Sequence, residues 1–195
     1  MALSREQVVD AAMSILRRYG LASLSMRNLA KNLDVQPGAL YWHVASKQDL
    51  LVLLAGRILA TTSTPPAWTG HGEAPSGPAA ARQVALDIRT ALTSVKDGAE
   101  VVSVAQALNP GQLVSLQRLR DALPADLTPQ QAEWGARALT HYILGAVAEE
   151  QTHAELIVAG AAATGPSTSY TTEAFLFGVD AFLRGLAAVA PSPTP

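Results

Sequence analysis

The sequence predicts an all-α protein in which a small head of short helices at the N-terminus precedes a larger helical body. Apolar residues recur at spacings of three and four along most of the 195-residue chain, and no segment alternates as a half-buried strand does. The composition agrees, because hydrophobic residues make up 49% of the chain but aromatic residues only 5%, so that Ala, Leu and Val dominate. A chain of this length can form one sizeable core or two small ones.

The first predicted helix opens with a capping box and ends at a glycine. Ser4 is placed to accept from the third amide of the helix, while Gln7 reaches back to the cap. Gly20 is typical of the position that follows a helix C-terminus. The residues between them form one apolar stripe, which consists of Val8, Ala12, Ile15, Leu16 and Tyr19.

Two short helices joined by a tight turn follow. Ser25 is placed as the cap of the second helix, and Asp34 occupies the turn, where Asp tolerates the left-handed conformation better than most residues. Pro37 is a favoured first residue for the third helix, which we expect to run to Val44. Ser46 then caps a fourth, connecting helix. Because two short helices across a tight turn form a helix-turn-helix, we predict a three-helix helix-turn-helix head.

The body follows a segment rich in Pro, Gly, Ser and Thr, which we interpret as a loop. Helical periodicity then resumes over five further segments. The longest opens with Thr128 as cap, Pro129 as first residue and Gln131 as the capping-box partner. The predicted organisation is a head with its connecting helix at 1–60, a loop at 61–79, a helical body at 80–190 and a tail at 191–195.

Charge and cysteine content restrict the classes of function. The net charge of the chain is −2, but residues 1–50 carry six Arg or Lys against four Asp or Glu, a local charge of +2. A basic head on an acidic body is typical of a small nucleic-acid-binding unit with a second task behind it. The absence of cysteine excludes disulfides and thiol catalysis. No signal peptide opens the chain and no apolar run approaches the roughly 20 residues that span a bilayer, so we expect a soluble, cytoplasmic protein.

The third predicted helix presents an unusual outer surface. At about 100° per residue, Leu40 and Val44 define the stripe that faces the core, which leaves Gly38, Tyr41 and Trp42 outside. An exposed patch of aromatic and small residues marks a contact site, and a helix whose face is partly small fits the major groove of DNA. Polar residues around the patch are suited to phosphates and base edges. The predicted DNA-binding residues are Ser25, Arg27, Gln36, Pro37, Gly38, Ala39, Tyr41, Trp42, His43 and Lys47.

The stretch VQPGALYWHVASKQDLL, residues 35–51, resembles the signature of the TetR (tetracycline repressor) family of bacterial regulators. LSMRNLAKNLDV, residues 24–35, resembles the preceding helix of the same family, and the resemblance covers about residues 4–60. Tyr41, Trp42 and His43 are similar to the tetracycline-repressor branch in particular. Two positions depart from the family pattern: Asp34 stands where the turn usually has Gly, and Gln36 stands where a Ser or Thr cap is usual.

This resemblance implies a homodimeric repressor that binds a palindromic operator in double-stranded DNA and is released by a small apolar or amphipathic effector. In the family, two helices of the body pair with those of a second protomer, and the body encloses the effector pocket. YILGAVAEE and FLFGVDAFLRGL are similar to the pairing helices, and glycines at 135, 145, 178 and 185 would permit close helix approach. The expected interface residues are Leu139, Gly145, Phe175, Val179, Phe182 and Leu186; the expected pocket residues are Trp134, His141 and Tyr142.

Two alternatives remain open from the sequence. One is an all-α ligand carrier or helical enzyme whose head does not bind DNA, and the other is an activator of the same architecture. We expect neither catalysis nor a cofactor, because the chain has only four His, no Cys and no phosphate-binding loop. We also expect no metal, because Glu149 and His153 share a helix but two ligands are too few for a site.

Overall fold

The computed structural model describes residues 3–60, 76–110, 113–162 and 170–189, apart from the side chains of 114–116. Within these ranges the regular structure is helical and no strand occurs, which confirms the predicted all-α class. The helices are α1 Arg5–Tyr19, α2 Met26–Asn32, α3 Pro37–Leu40, α4 Lys47–Ala60, α5 Pro78–Thr93, α6 Gly98–Leu108, α7 Val114–Asp121, α8 Pro129–Val158 and α9 Thr172–Val189.

Side-chain caps begin α1, α2 and α8, as predicted. The amide of Gln7 donates to Ser4 Oγ at 3.2 Å, and the amide of Ser4 donates to Gln7 Oε1 at 2.8 Å. Ser25 Oγ accepts from the amide of Asn28 at 3.1 Å, and a second capping box joins Thr128 to Gln131. Each cap satisfies amides that have no partner inside the helix, so the sequence defines these helix starts locally.

The head is built around the apolar stripe of α1. Val8, Ala12, Ile15 and Leu16 are buried, but Tyr19 is 54% exposed, so its assignment to the stripe was wrong. Tyr19 is the last residue of α1, and the guanidinium of Arg18 lies 5.2 Å from the centre of its ring.

The third helix is shorter than predicted. It ends at Leu40, and the amides of His43 and Val44 both donate to the carbonyl of Leu40 at 2.9 Å, so the chain turns where a longer helix was expected. Leu40 and Val44 are nevertheless both buried, as predicted, because the turn keeps these two residues on the core side. Asp34 has a φ of 54°, so the turn before α3 uses the left-handed conformation that Asp tolerates.

One apolar core runs from the head into the body. The connecting helix α4 packs most extensively against α6, and α5, α6 and α8 pack against one another, with α7 and α9 at their sides. Buried side chains from successive helices meet in this core: Leu54, Ile58, Ile88, Leu92, Val102, Leu139 and Ile143. Helix α4 packs against α1 of the head and against α5, α6 and α7 of the body, so it belongs to both parts.

The structure describes only part of the predicted loop and none of the predicted tail. Residues 61–75 of the loop at 61–79 and the tail at 191–195 lie outside the described residues. The body helix α5 begins at Pro78, two residues before the boundary expected at 80, because Pro is favoured at the first helical position. In the part of the chain that the structure describes, no helix combines the length and apolar character that crossing a membrane requires.

The head is also joined to the body by a polar contact. The amide of Leu21, in the 3₁₀ turn after α1, donates to Asp97 Oδ2 at 2.6 Å. Asp97 precedes α6 with a φ of 55° and does not cap that helix, since its carboxylate is turned towards the head. Gln151 of α8 holds the same segment from the other side, because its side chain bonds the amide of Ala99 and the carbonyls of Leu92 and Val95.

Candidate nucleic-acid interface

The two aromatic residues after α3 are directed away from the core. Trp42 is 89% exposed and Tyr41 is 53% exposed, while their neighbour Leu40 is fully buried. They lie on the turn that follows α3, where the amides of His43 and Val44 converge on the carbonyl of Leu40. This buried anchor fixes the backbone, so both aromatic side chains are presented from a defined position. No part of the described body covers them, as the DNA-binding prediction requires.

The N-terminal end of α3 has a small and weakly polar surface. Gln36 precedes the helix, makes no capping hydrogen bond and is exposed. Pro37 and Gly38 are exposed as well, and Ala39 is half-buried. A Cβ atom built on Gly38 would meet no other atom within 4 Å. The backbone of α3 is therefore open to close approach from outside.

Two cations flank this surface. Arg27 is the second residue of α2 and Lys47 is the first residue of α4; both are exposed. Neither forms an ion pair with an acid in the described ranges. Ser46 Oγ accepts from the amide of Asp49 at 3.0 Å, so α4 begins with a capped turn directly beside Lys47. A helix N-terminus with a free ammonium group is suited to a phosphate.

The predicted DNA-binding residues thus fall on α2, α3, the following turn and the start of α4, which are adjacent elements of the head. Ser25 is half-buried and acts as the cap of α2, and His43 is half-buried beside the exposed Trp42. Helices α2 and α3 pack against each other through a core that includes Leu29 and Leu40. The packing of α2 on α3 therefore brings the predicted DNA-binding residues of these two helices close together.

The three predicted effector residues do not share a cavity. Trp134 is 64% exposed near the start of α8. His141 lines a groove of about 560 Å³ between α6 and α8, whereas Tyr142 lines a separate cavity of about 190 Å³ between α5, α8 and α9. Neighbouring residues on one helix point about 100° apart, so residues 141 and 142 face different gaps between helices. In the single protomer these three residues therefore do not line one common cavity.

The groove beside His141 contains residues that the sequence analysis missed. Its walls combine apolar and polar side chains, and the buried Oε1 atom of Gln106 has no hydrogen-bond partner among the residues that the structure describes. A smaller cavity of about 90 Å³ adjoins it and shares Gln106 and Arg137. The spacing of apolar residues along the chain could not predict that these residues line one groove, because they come together only when α6 packs on α8. The groove is lined by Ser103, Gln106, Ala107, Pro110, Arg137, His141, Leu144, Gly145 and Ala148.

The cavity beside Tyr142 is bordered by an ion pair and by aromatic rings. Arg89 donates to both carboxylate oxygens of Glu150 at 2.9 Å, and its guanidinium lies 5.5 Å from the ring centre of Phe175. The Tyr142 hydroxyl donates to the carbonyl of Phe175 at 2.9 Å. Burial raises the pKa of Tyr142, so its phenol remains a donor. These contacts join α5, α8 and α9 and leave little space for a ligand.

Glu149 and His153, which share a face of α8, both contact Tyr170. The Tyr170 hydroxyl donates to Glu149 at 3.3 Å, and the His153 ring stacks on Tyr170 with 4.5 Å between ring centres. Burial, followed by the charge of Glu149 and this hydrogen bond, raises the pKa of Tyr170. Among the residues that the structure describes, no three His, Asp or Glu side chains gather as metal ligands would.

Three of the residues predicted at a dimer interface lie inside the protomer. Leu139, Phe175 and Val179 are buried in its own core, so they have no surface to offer a partner, and Phe182 and Leu186 are half-buried. Only Gly145 of the predicted set is exposed. Helical periodicity identified the apolar faces of α8 and α9, but it could not distinguish a face that packs within the protomer from one that packs between protomers.

The helical glycines also fall into two groups, one packed within the protomer and one facing open space. A Cβ on Gly135 would contact Leu186 at 3.0 Å, and one on Gly178 would overlap the Tyr142 ring, so these two permit close packing within the protomer. A Cβ on Gly145 or Gly185 would meet no atom within 4 Å. Both are exposed, and Phe177 on α9 is exposed by 76%. The faces of α8 and α9 that carry them are therefore unoccupied in a single protomer.

The fold and the exposed face of its head together define an all-α regulator with a helix-turn-helix DNA-binding unit. Residues 8–54 match the family described as "Bacterial regulatory proteins, tetR family". The tetracycline repressor protein class G of Vibrio anguillarum is 33% identical over 152 residues, which are 76% of this chain and 70% of that relative. The chain therefore belongs to the TetR family.

Solved structures agree over nearly the whole length. Mycobacterium smegmatis BioQ superimposes with a TM-score of 0.82 at 35% identity, covering 95% of this chain and 98% of BioQ. A BioQ structure with its natural double-stranded DNA operator gives a TM-score of 0.76 at 32% identity, covering 95% and 99%. A single-residue variant of TetR from Acinetobacter baumannii AYE, in complex with minocycline, gives 0.76 at 31% identity, covering 97% and 99%.

Proposed function

We propose that the protein is a repressor that binds a palindromic operator as a homodimer and leaves it when a small molecule binds the body. Membership of the TetR family makes it a ligand-responsive, DNA-binding regulator of transcription. The assignment of the interface rests on one observation: Tyr41, Trp42 and two cations, Arg27 and Lys47, are exposed on one part of the head, and neither cation forms an ion pair within the described residues. In this proposal the chain regulates, does not catalyse, and acts in the cytoplasm.

The DNA interface proposed here has a small centre and a polar edge. Pro37, Gly38 and Ala39 approach the bases of the major groove, and Tyr41 and Trp42 reach the sugar-phosphate backbone or base edges beside them. Arg27 and Lys47 neutralise phosphates on either side. Gln36 and His43 supply hydrogen bonds, and Ser25 adds a hydroxyl next to the cap that it forms.

The effector site is assigned to the groove between α6 and α8. Its volume of about 560 Å³ lies within the range of pockets for small molecules, about 300–1,000 Å³, whereas the other two cavities are smaller. An amphipathic molecule fits it, because Leu144 and Ala148 form an apolar wall while Gln106 and Arg137 contribute polar side chains to the lining. His141 belongs to this site; Trp134 and Tyr142 do not.

Dimerisation is assigned to the exposed faces of α8 and α9. Gly145, Phe177 and Gly185 are exposed there, and the two glycines would allow the helices of a second copy to approach closely. In such a dimer the two heads would reach successive major-groove segments about 34–36 Å apart. Because Gly145 also borders the groove beside His141, the partner would close one side of the effector site.

The test is the salt dependence of binding to duplex DNA from the region upstream of the chain's own gene, located by footprinting. A regulator is expected to lose affinity with a log–log slope of about −0.9 for each phosphate contacted. Lys47→Ala should reduce the slope by about one unit, while Arg120→Ala, which removes the same charge from the body, should leave it unchanged.

Tyr41 offers a second, closely matched comparison. Tyr41→Phe should weaken DNA binding several-fold, while Tyr19→Phe should have no effect, although the two tyrosines have similar exposure within the head. A ligand carrier or enzyme whose head does not bind DNA would show no protected sequence, no steep salt dependence and no difference between these variants. That result would overturn the proposal.

A further inference from the structure

The groove between α6 and α8 has an uneven distribution of ionisable side chains. Arg137 and His141 line it, and both are basic, whereas no acidic residue occurs among the described residues of the lining. The two lie four positions apart on α8 and therefore on one face of that helix. A molecule in the groove meets a guanidinium and an imidazole on the same wall.

Arg137 also lacks an acidic partner, unlike other arginines of the body. Arg82 pairs with Asp180 at 3.1 Å, and Arg89 pairs with Glu150 at 2.9 Å. Arg137 is exposed and forms neither an ion pair nor a hydrogen bond within the ranges that the structure describes. A guanidinium has five N–H donors in a planar fork, so its full binding capacity remains available to a ligand.

The nearest acid in the sequence does not cancel this charge. Glu133 lies one turn before Arg137 on α8, and both line the adjoining cavity of about 90 Å³. The Glu133 carboxylate lies 3.8 Å from the guanidinium of Arg120, which lines the same cavity. This adjoining cavity thus contains two arginines against one glutamate, and the positive charge stays in excess on both sides of Arg137.

The remainder of the groove is largely apolar. Leu144 and Ala148 continue the wall of α8 beyond His141, and Ala107 and Pro110 form the side at the end of α6. An apolar surface that leads to a cationic group is complementary to a molecule with one anionic end and an apolar remainder. A carboxylate suits the cationic end in particular, because its two oxygens match the fork of a guanidinium.

We infer, on the basis of the effector site proposed above, that the effector is an amphipathic carboxylate. Its anionic group would bind Arg137 and His141, and its apolar part would lie along Leu144 and Ala148. A cationic molecule of the same shape is disfavoured, because its charge would face an arginine without an acid in the lining to balance it. The charge of the groove therefore selects among molecules that its volume admits equally.

The test is a calorimetric titration of the full-length protein, without DNA, with two matched sets of probes. One set is decanoate, decanamide and decylammonium, and the other is 2-naphthoate, 2-naphthamide and 2-naphthylmethylammonium, so that the result does not depend on one carbon skeleton. In at least one set the carboxylate should bind about tenfold more tightly than the amide, and the ammonium most weakly. Added salt should reduce this preference.

Three variants locate the preference. Arg137→Gln should reduce the affinity for the carboxylate about tenfold and leave that for the amide unchanged, since only the charged contact is lost. Arg137→Glu should reverse the order of carboxylate and ammonium. Arg82→Gln, which removes the same charge from α5 and lines neither cavity, should behave as the wild type. Circular dichroism should show unaltered helix content, because the Arg137 side chain is exposed.

The outcomes separate this inference from the proposed function. If neither carboxylate binds more tightly than its amide, if no probe binds at millimolar concentration, or if Arg137→Gln keeps the preference, the carboxylate inference is overturned. Operator binding by the wild type would then still support a regulator. Carboxylate binding that leaves operator affinity unchanged would overturn the effector role. Carboxylate binding by a protein that protects no DNA would confirm the preference of the groove and overturn the proposed function.

Discussion

At the scale of single residues, Tyr142 connects two helices by a polar contact as well as by packing. Its hydroxyl donates to the carbonyl of Phe175, which lies in the first turn of α9, and its ring lies 5.7 Å from that of Phe175. Tyr142 is one of the pocket residues expected from the sequence. In the structure its hydroxyl is bonded to the Phe175 carbonyl and its ring packs on the Phe175 ring, so Tyr142 holds α9 against α8.

Tyr142→Phe is expected to lower the free energy of unfolding by about 1 kcal/mol, because it leaves the Phe175 carbonyl without this donor. The pKa of Tyr142 is raised by burial, so the phenol's contribution is fully present below the ordinary tyrosine value of about 10 and is lost as the pH rises through the raised pKa. Urea denaturation should therefore give a constant difference between wild type and variant from about pH 6 to 9.

The control is Tyr19→Phe, since the exposed ring of Tyr19 lies at the end of α1 and away from this contact. Its unfolding free energy should match that of the wild type within about 0.5 kcal/mol. An equal loss in both variants, or a difference that changes between neutral pH and pH 9, would contradict the role given to Tyr142.

At the scale of elements, glycines divide the surfaces of α8 and α9 into an inner and an outer face. Gly178 lies against Tyr142 within the protomer, and Gly135 lies against Leu186 and Leu123. Gly145 and Gly185 face open space on the outside of the same two helices. Glycines on both faces are consistent with helices that pack closely in two directions: the inner face against the protomer, and the outer face against a second copy in the proposed dimer.

If the outer face forms the dimer, Gly145→Leu and Gly185→Leu should each weaken dimerisation. Overpacking at a close contact costs about 1–3 kcal/mol, which is about a ten- to hundredfold increase in the dimer dissociation constant. Sedimentation velocity over a range of protein concentrations would measure it. Gly56→Leu on α4 is the control, since this glycine is equally free of neighbours but lies outside the proposed face.

Unchanged sedimentation of both α8 and α9 variants would exclude this face as the interface. A monomeric wild-type protein would exclude the dimer itself. Circular dichroism distinguishes either case from unfolding, because the leucine side chains are directed into solvent in the isolated protomer and should leave its helix content unaltered.

At the scale of the whole molecule, the segment between α5 and α6 is the junction of head and body. Asp97 bonds the amide of Leu21 in the head, and Gln151 ties the same segment to α8. Lys96 adds an ion pair with Glu155 of α8 at 3.2 Å. Since α6 also borders the groove proposed as the effector site, an effector that shifted α6 would act on a helix that packs against α4 and follows the contact to the head.

Asp97→Ala should lower the free energy of unfolding by about 2–3 kcal/mol, because it removes a charged acceptor and places Ala in the left-handed conformation. Asp97→Asn should lose less, since Asn keeps an acceptor oxygen and tolerates that conformation. Hydrogen exchange should show faster exchange of the Leu21 amide in Asp97→Ala, together with weaker operator binding as the head loses its fixed orientation.

Asp121→Ala, which breaks an exposed ion pair with Arg120 on α7, serves as the control and should change stability by less than about 1 kcal/mol. If the Leu21 amide stays equally protected in Asp97→Ala, the junction depends on the apolar packing of α4 on α6 alone. The role assigned to Asp97 would then be wrong.

The sequence by itself determined the local features of this protein. Caps at Ser4, Ser25 and Thr128, the turn at Asp34 and the start of α3 at Pro37 depend on neighbours within a few residues, and all were predictable. The burial of Leu40 and Val44, and with it the exposure of Trp42, also follows from spacing along a short stretch. The head is composed of such short-range features, and the predicted DNA-binding residues lie within it.

Only the tertiary structure decided which apolar faces are covered and by what. Leu139 and Phe175 carry the same periodic signal whether they pack within a protomer or between two, and burial in the protomer core separated the two cases. The groove at Gln106 and the bond from Asp97 to Leu21 join residues far apart in the chain. Periodicity records that a side chain must be buried, but the identity of its neighbour depends on how whole helices pack.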